Sequence, residues 1–331
     1  MPEVVTTTPG LFPLPDWAKD ELSELKGHQK ADLISGDEGS EIQDAYERGR
    51  AEVVDRQQEA GLDRIVEGQL RWDDMIAHPL AVHDNVDTRG IVRYYDNNNF
   101  YREPVVTGDL TAAGDVAAEL EAASEQVDSG LQAVLPGPYS LADLATDEHY
   151  GDDAAFLEGV TEFLAGEIAE FPEVETLFLL EPSLVENAPG DGADERASEA
   201  IDAVASEADA DVVAHTYWGA LDEKVYAHLM DADVDAIGFD FVADHEANLY
   251  NINEYGTKDD VALGLVDGQN TLVEDPETIA ERIEWVADQT QSTDFETVYA
   301  TINTETFYLP VNKFEAKLDA LAAVNKTEVE A

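Results

Sequence analysis

The residues able to do chemistry follow short apolar runs. In "DVVAHTYWGALDEK", residues 211–224, the run Val212-Val213-Ala214 leads into His215, Tyr217 and Trp218. Comparable runs lead into Glu181-Pro182, Asp240-Phe241, Asp267-Gly268-Gln269-Asn270 and Thr304-Glu305-Thr306, and others into Gly10-Leu11-Phe12-Pro13, Glu67-Gly68-Gln69 and Gly137-Pro138-Tyr139. Together they supply acids, amides and aromatic rings. That set suits a ligand with amine and ring groups better than a phosphate, which calls for Arg, Lys or a Gly-rich helix start. The chain has no cysteine, so thiol nucleophiles, thiolate metal sites and disulfides are excluded. His215 reads as a site contact, as a packed or hydrogen-bonded residue, or as a ligand of a harder metal together with Asp240 and Glu305. Asp267, Gly268 and Asn270 also read as a tight turn, since Asp-Gly and Asn favour turns on their own account.

To bring these residues together, the runs must become neighbouring strands. The strand expectations are Val4–Thr8, Leu62–Glu67, Leu131–Leu135, Thr176–Glu181, Asp211–His215, Asp235–Phe241, Val261–Val266 and Thr297–Ile302. Helical periodicity marks 41–59, 112–129, 153–170, 194–207, 221–231, 276–289 and 312–324. Glu274-Asp275-Pro276 reads as a helix start. Eight strands alternating with helices predict an α/β fold, a single (β/α)8 TIM-type barrel over 1–331, with active groups at the strand C-termini. An open doubly wound sheet is the alternative, weakened by the lack of a Gly-x-Gly-x-x-Gly turn after the first strand. Residues 69–106 form an inserted aromatic and Asn-rich loop after strand 2, too long for an ordinary βα connection and therefore a functional candidate.

Composition limits the partners. The chain of 331 residues has 18 Lys+Arg against 74 Asp+Glu, a formal charge of −56, with 44% hydrophobic residues. That apolar content supports a core, so the acidity does not signal disorder. The charge is spread along the chain, and its self-repulsion is relieved in concentrated salt, where the Debye length falls to about 3 Å at 1 M. The expectation is a soluble, cytoplasmic protein adapted to high internal salt. Nucleic acid is excluded because there is no cationic face. No stretch approaches the roughly 20 apolar residues of a membrane span, and "MPEVVTTTPG" lacks the pattern of a signal peptide.

The run ends, in order, resemble the cobalamin-independent methionine synthase family: "TTTPGLFP", "GLDRIVEGQ", "LPGPYSL", "LFLLEPSL", "AHTYWG", "DVDAIGFDF", "LGLVDGQN" and "TINTETFYLP". The family pairs two similar barrels. Its C-terminal barrel holds a zinc that activates homocysteine through His-x-Cys, a Glu and a second Cys. Its N-terminal barrel lacks zinc and helps to hold the folate donor. Here the His-x-Cys position reads His215-Thr216-Tyr217, the Glu position is Asp240, and the second Cys position falls near Thr304. Leu11, Gln69 and Leu180 replace the Ser, Glu and Asp expected to grip homocysteine, and leucine accepts no hydrogen bond.

Other stretches resemble the N-terminal barrel. "TYWG" (216–219) is similar to its Thr-Tyr-Phe-Gly and "GLVDGQN" (264–270) to its Gly-Leu/Val-x-Asn/Asp-Gly-Arg-Asn. "RWDDMI" (71–76) is similar to its Trp-Tyr-Asp-His-Val, and "YYDNNNFYREP" (94–104) to its Trp-Phe-Asp-Thr-Asn-Tyr-His-Tyr-x-x-Pro. The family's basic opening stretch reads "PLPDWAKDELSELKGH" (13–28) here, with few cations for a polyglutamate tail. The resemblance implies methionine biosynthesis by a separate N-terminal-type half. A partner barrel would carry the Cys ligands and the zinc, and a reduced folate would donate the methyl group. Candidate contacts for the small-molecule substrates are Trp72, Asp74, Asp96, Asn98, Glu181, His215, Tyr217, Trp218, Asp240, Asp267 and Asn270. No catalytic residue or metal ligand is assigned to this chain. The other readings are a free-standing methyltransferase and a non-catalytic pterin or amino-acid binding protein.

Overall fold

Continuous apolar runs form strands when both faces are covered, and the central strands here are buried along nearly their whole length. The computed structural model describes residues 2–23, 38–93, 95, 100–290 and 295–326. In chain order the elements begin with β1 (Glu3–Thr6), α1 (Asp16–Ser23), α2 (Ser40–Ala60) and β2 (Ile65–Val66). The inserted segment follows, with α3 (His78–Ala81), β3 (Val86–Arg93) and β4 (Phe100–Val106). Next come α4 (Asp115–Ser124), β5 (Leu131–Pro136), α5 (Pro138–Asp143), β6 (Thr146–Asp147), α6 (Asp153–Ile168) and β7 (Thr176–Leu180). Then follow α7 (Ser183–Glu186), α8 (Ala193–Ala205), β8 (Asp211–His215), α9 (Glu223–Leu229), β9 (Ala236–Asp240) and α10 (His245–Tyr255). The chain closes with β10 (Asp260–Val266), α11 (Pro276–Gln289), β11 (Thr297–Ile302) and α12 (Val311–Ala322).

Eight of these strands make one curled parallel sheet in the order β1-β11-β10-β9-β8-β7-β5-β2. This is the TIM-type barrel expected from the alternation of runs. Register aligns the strand ends: Leu180 sits opposite His215, His215 opposite Gly238, and Asp240 opposite Gly264. The residues that follow those ends therefore meet at one mouth. Five helices, α1, α3, α5, α7 and α10, lie outside the helical expectations; three of them have six residues or fewer, and in α10 Asn248 and Asn251 on the buried side hide the period. The insertion is more ordered than a loop. β3 and β4 pair antiparallel, and β6 adds to β4 in a second, three-stranded sheet. β3 is exposed along most of its length, so it carries no apolar alternation to reveal it.

The regular ladder stops between β1 and β2, and other groups close that seam. Asp63 N and Arg64 N both donate to the Thr6 carbonyl at 3.1 Å, and Phe12 N donates to the Gly68 carbonyl at 2.9 Å. The Asp63 carboxylate accepts from Thr6 N at 2.8 Å and from the Thr6 hydroxyl at 2.7 Å. Val66 has no strand partner on this side. Fully buried Gln57 of α2 replaces one: its Oε1 accepts from Val66 N at 3.0 Å and its Nε2 donates to the Val66 carbonyl at 2.8 Å. No helix among the described residues is long and apolar enough to cross a membrane.

The Gln57→Leu variant keeps the volume but leaves both Val66 backbone groups buried and unpaired. At about 1–3 kcal/mol for each of the two unsatisfied groups, it should be less stable by about 2–6 kcal/mol. Urea unfolding in molar KCl measures this, and an unchanged midpoint would show that the seam does not need Gln57.

Candidate functional site

Most of the acids at the mouth are used as acceptors for loop backbone. Fully buried Asp240 ends β9. Its carboxylate accepts from Trp218 N at 2.9 Å, Val242 N at 3.0 Å and Ala243 N at 2.8 Å, and Asn303 Nδ2 lies 3.0 and 3.1 Å from its two oxygens. One side chain thus ties the β8 exit, its own turn and the β11 exit together. Glu181, also fully buried, does the same at the β7 exit. It accepts from Tyr139 N at 3.0 Å, Ser140 N at 2.8 Å and the Ser140 hydroxyl at 2.6 Å. Gly137 has no side chain because a Cβ there would lie 2.3 Å from Glu181 atoms. Asp74 accepts from Ile76 N at 2.8 Å and Ala77 N at 2.7 Å, which starts α3.

His215 is fully buried, and its Nε2 lies 2.9 Å from the Asn303 carbonyl. A carbonyl only accepts, so the ring proton sits on Nε2 and the lone pair on Nδ1. That Nδ1 has no partner and occupies the space where a Gly238 Cβ would be, at 2.2 Å. The lone pair thus faces the neighbouring strand. Burial lowers the His215 pKa to about 4, so the ring is neutral near pH 7. With Nε2 held by the Asn303 carbonyl, Nδ1 turned against Gly238 and the Asp240 oxygens taken by backbone N–H groups and Asn303, the set His215, Asp240 and Glu305 does not fit a metal. Among the described residues no group of three or more His, Asp or Glu is arranged to hold one.

The aromatic residues form a connected wall. The Tyr217 hydroxyl donates to Met75 Sδ at 3.0 Å. The Tyr217 and Trp218 rings meet at 4.8 Å, and Trp218 meets Tyr95 of the insertion at 5.1 Å, edge to face in both cases. Trp218 and Tyr95 hold positive φ values of 72° and 53°, a conformation that costs bulky residues energy and is retained where surroundings impose it. Tyr95 is anchored through its hydroxyl, 2.5 Å from Ser183 Oγ. Trp72 is buried and stacks on His78 at 5.1 Å. Its neighbour Asp73 pairs with Arg102 of β4, and the Tyr308 hydroxyl reaches the Phe100 backbone. The hairpin therefore arches across the mouth and touches the exits of β2, β7, β8 and β11.

Beneath that arch lie buried carboxyls that form no ion pair among the described residues. Burial pushes Asp74 up to about 6 and Glu181 and Glu305 up to about 7. Burial first, and then the charges of Glu305, Glu181 and Asp74, raise the pKa of the Tyr217 hydroxyl. Glu305 differs from the others in its partners, which are the Thr304 hydroxyl and, at 3.3 Å, Gln269 Nε2. A ligand amine or ring N–H entering this mouth would meet acceptors, and a neutral carboxyl could donate in turn.

The structure thus gathers Trp72, Asp74, Glu181, His215, Tyr217, Trp218 and Asp240 around one mouth. Asp267 and Asn270 lie beside it, on a cleft between the start of α10 and α11, while Gly268 and Gln269 between them reach Asn303 and Glu305 of the mouth. Each also caps its own turn, Asp267 with Gln269 N at 2.9 Å and Asn270 with Leu272 N at 2.9 Å. Asp96 and Asn98 fall outside the described residues. Sequence reasoning passed over Asn303, which holds His215, Asp240 and, through its Oδ1 at 2.9 Å, Gly268 N. It also passed over Tyr95, Ser140 and Ser183. A lone Asn at the end of an apolar run was the available signal for the first.

The raised Glu181 pKa has a stability consequence. An unfolded glutamate loses its proton near pH 4.5, while the folded one keeps it to about 7. The contribution is therefore complete below pH 4.5 and is lost as pH rises to about 7. Glu181→Gln should gain on the parent across that window by about 1 kcal/mol per pH unit. Thermal or urea unfolding from pH 4 to 8 tests this; a pH-independent difference would show that Glu181 is ionised throughout.

Comparison with known proteins now bears on this geometry. Residues 81–291 match the model of the cobalamin-independent synthase N-terminal domain. A methionine synthase of Saccharolobus islandicus is 24% identical over 288 residues, 86% of this chain and 83% of its own. A 5-methyltetrahydropteroyltriglutamate–homocysteine methyltransferase of Salinibacter ruber is 29% identical over 144 residues, 43% of this chain and 18% of its own. A B12-independent methionine synthase from a Shewanella species, solved with selenomethionine, superposes with a TM-score of 0.77 at 18% identity, covering 97% of this chain and 96% of that one. The fold is shared with that enzyme, and the homologues are proteins of methionine synthesis. The matched segment contains the hairpin, the Glu181, His215 and Asp240 strand ends and Tyr95, Tyr217 and Trp218 of the aromatic wall, and it spans well over half the chain, so this protein belongs to the family of the cobalamin-independent synthase N-terminal domain.

Proposed function

We propose that this chain, as a single barrel over 1–331, is the separately encoded N-terminal-type half of a cobalamin-independent methionine synthase. It works beside a second barrel that carries Cys ligands and zinc, in the cytoplasm of a cell with high internal salt. A reduced folate serves as methyl donor and lies between the two mouths, and homocysteine is the acceptor. The observation that carries this reading is the use of the mouth groups. Where the family's catalytic barrel needs zinc ligands, this chain has Thr216-Tyr217 beside His215 and a Thr at 304. His215 and Asp240 themselves are committed to protein groups. The remaining surface is an aromatic wall with buried carboxyls, which suits a flat ring bearing N–H groups. Its contribution to rate is positioning and the exclusion of water. A match over nearly the whole length of the Shewanella chain supports one barrel as the unit.

The test mixes this chain with a zinc-bearing barrel of the same cell and follows methyl transfer from reduced folate to homocysteine in molar KCl. The pair should turn over at least tenfold faster than the partner alone, about 1.4 kcal/mol of transition-state stabilisation. Trp218→Ala, which opens the wall, should forfeit most of that gain while the zinc content of the partner is unchanged. If the partner alone reaches the full rate, this reading fails.

A further inference from the structure

A second site lies outside the mouth. α10 and α11 splay apart at the exits of β9 and β10 and leave a cleft of about 500 Å³, within the range of small-ligand pockets. Its apolar side is Phe241, Leu272 and Trp285. Leu272 is 72% exposed and Trp285 40% exposed, and large apolar groups left facing a shared cleft mark a surface that gains from being covered. His245 of α10 braces the indole edge to face, at 5.6 Å between centroids.

The polar side has one guanidinium, Arg282, and two carboxylates, Asp267 and Glu274. Arg282 is pinned by a hydrogen bond from Nη1 to the Leu265 carbonyl. Glu274, the nearby acid that could neutralise it, is taken by Lys317 Nζ at 2.7 Å and Asp267 N at 2.9 Å. Among the described residues no carboxylate forms an ion pair with Arg282, although acids outnumber bases 74 to 18 in the chain. Asp267 holds Gln269 N with one oxygen, and among the described residues no donor takes the other. A polyanion would be repelled by Asp267 and Glu274, and a plain hydrocarbon would leave Arg282 and Asp267 without partners.

We propose that this cleft binds a free α-amino acid with a large apolar side chain. The side chain lies between Leu272 and Trp285, the α-carboxylate on Arg282 and the α-ammonium on the open oxygen of Asp267. The cleft borders the mouth but shares none of its lining residues with the mouth groups, so it stands whether or not the methyl-transfer reading holds.

Calorimetric titration of the full chain in molar KCl tests it with L-phenylalanine, 3-phenylpropionate and phenethylamine, the last two lacking the ammonium and the carboxylate. Phenylalanine should bind saturably at one site, and each truncated analogue about tenfold more weakly. Arg282→Met should weaken phenylalanine about tenfold and leave phenethylamine unaffected. Asp267→Asn retains the turn oxygen and should weaken phenylalanine while sparing 3-phenylpropionate. Thermal unfolding confirms that both variants are folded. Absence of saturable binding, equal binding of phenylalanine and 3-phenylpropionate, or binding lost in Glu305→Gln but intact in Arg282→Met would each overturn the assignment.

Discussion

The mouth of this barrel depends on buried carboxylates that accept hydrogen bonds from loop backbone. Asp240, Glu181 and Asp74 each hold two or three N–H groups of the connections around them. The cost of burying each acid is offset by donors that would otherwise be unsatisfied. Farther from the mouth the same device recurs. Asp147 holds three successive N–H groups, from His149, Tyr150 and Gly151. Asp152 and Asp275 cap α6 and α11. A chain so poor in cations can order its loops in this way without ion pairs.

That economy places the few cations where acids must be neutralised in bulk. Arg71 pairs with Glu38 at 2.8 Å, Asp115 at 2.9 Å and Glu119 at 3.2 Å, and Arg50 joins through Glu119. This network welds α2 and α4 to the loop after β2. It remains acid-rich, and Glu67 beside it is pushed up to about 8, by burial first and by Glu119 second. Most of the other acids lie on solvated helix faces, where mobile ions screen them. The same sign imbalance shapes both surfaces: among the described residues the mouth carboxyls Asp74, Glu181 and Glu305 form no ion pair, while the α10–α11 cleft offers a guanidinium left over by Lys317.

The hairpin packs across the barrel end. It contributes Tyr95 to the aromatic wall, ties down through Arg102 to Asp73, and crosses to Tyr308. Because it burdens the mouth with aromatic surface, the carboxyls below it lose solvent, and their pKa values rise. Pocket chemistry and loop architecture are therefore one problem in this protein. The zinc ligands of the family's other barrel need lone pairs free at the mouth, whereas those of His215 and Asp240 are turned into the scaffold.

The barrel itself was legible in the residues. Period and apolar runs located all eight barrel strands to within a few residues, because a strand buried on both faces must be continuously apolar. The acids, amides and aromatics at the strand ends were legible too, since a parallel barrel delivers every strand end to one face. Tertiary structure alone decided what those groups do. The run Thr301-Ile302-Asn303 gives no hint that Asn303 joins His215 to Asp240, and nothing in Asp267-Gly268-Gln269-Asn270 places it on a separate cleft. The insertion read as a loop because an exposed hairpin strand carries no buried alternation. Local sequence sets which backbone can form and which atoms can donate or accept. Only the folded chain determines which donors each acceptor meets, because those partners lie 88 residues apart in His215 and Asn303 and as many as 295 apart in Leu11 and Thr306.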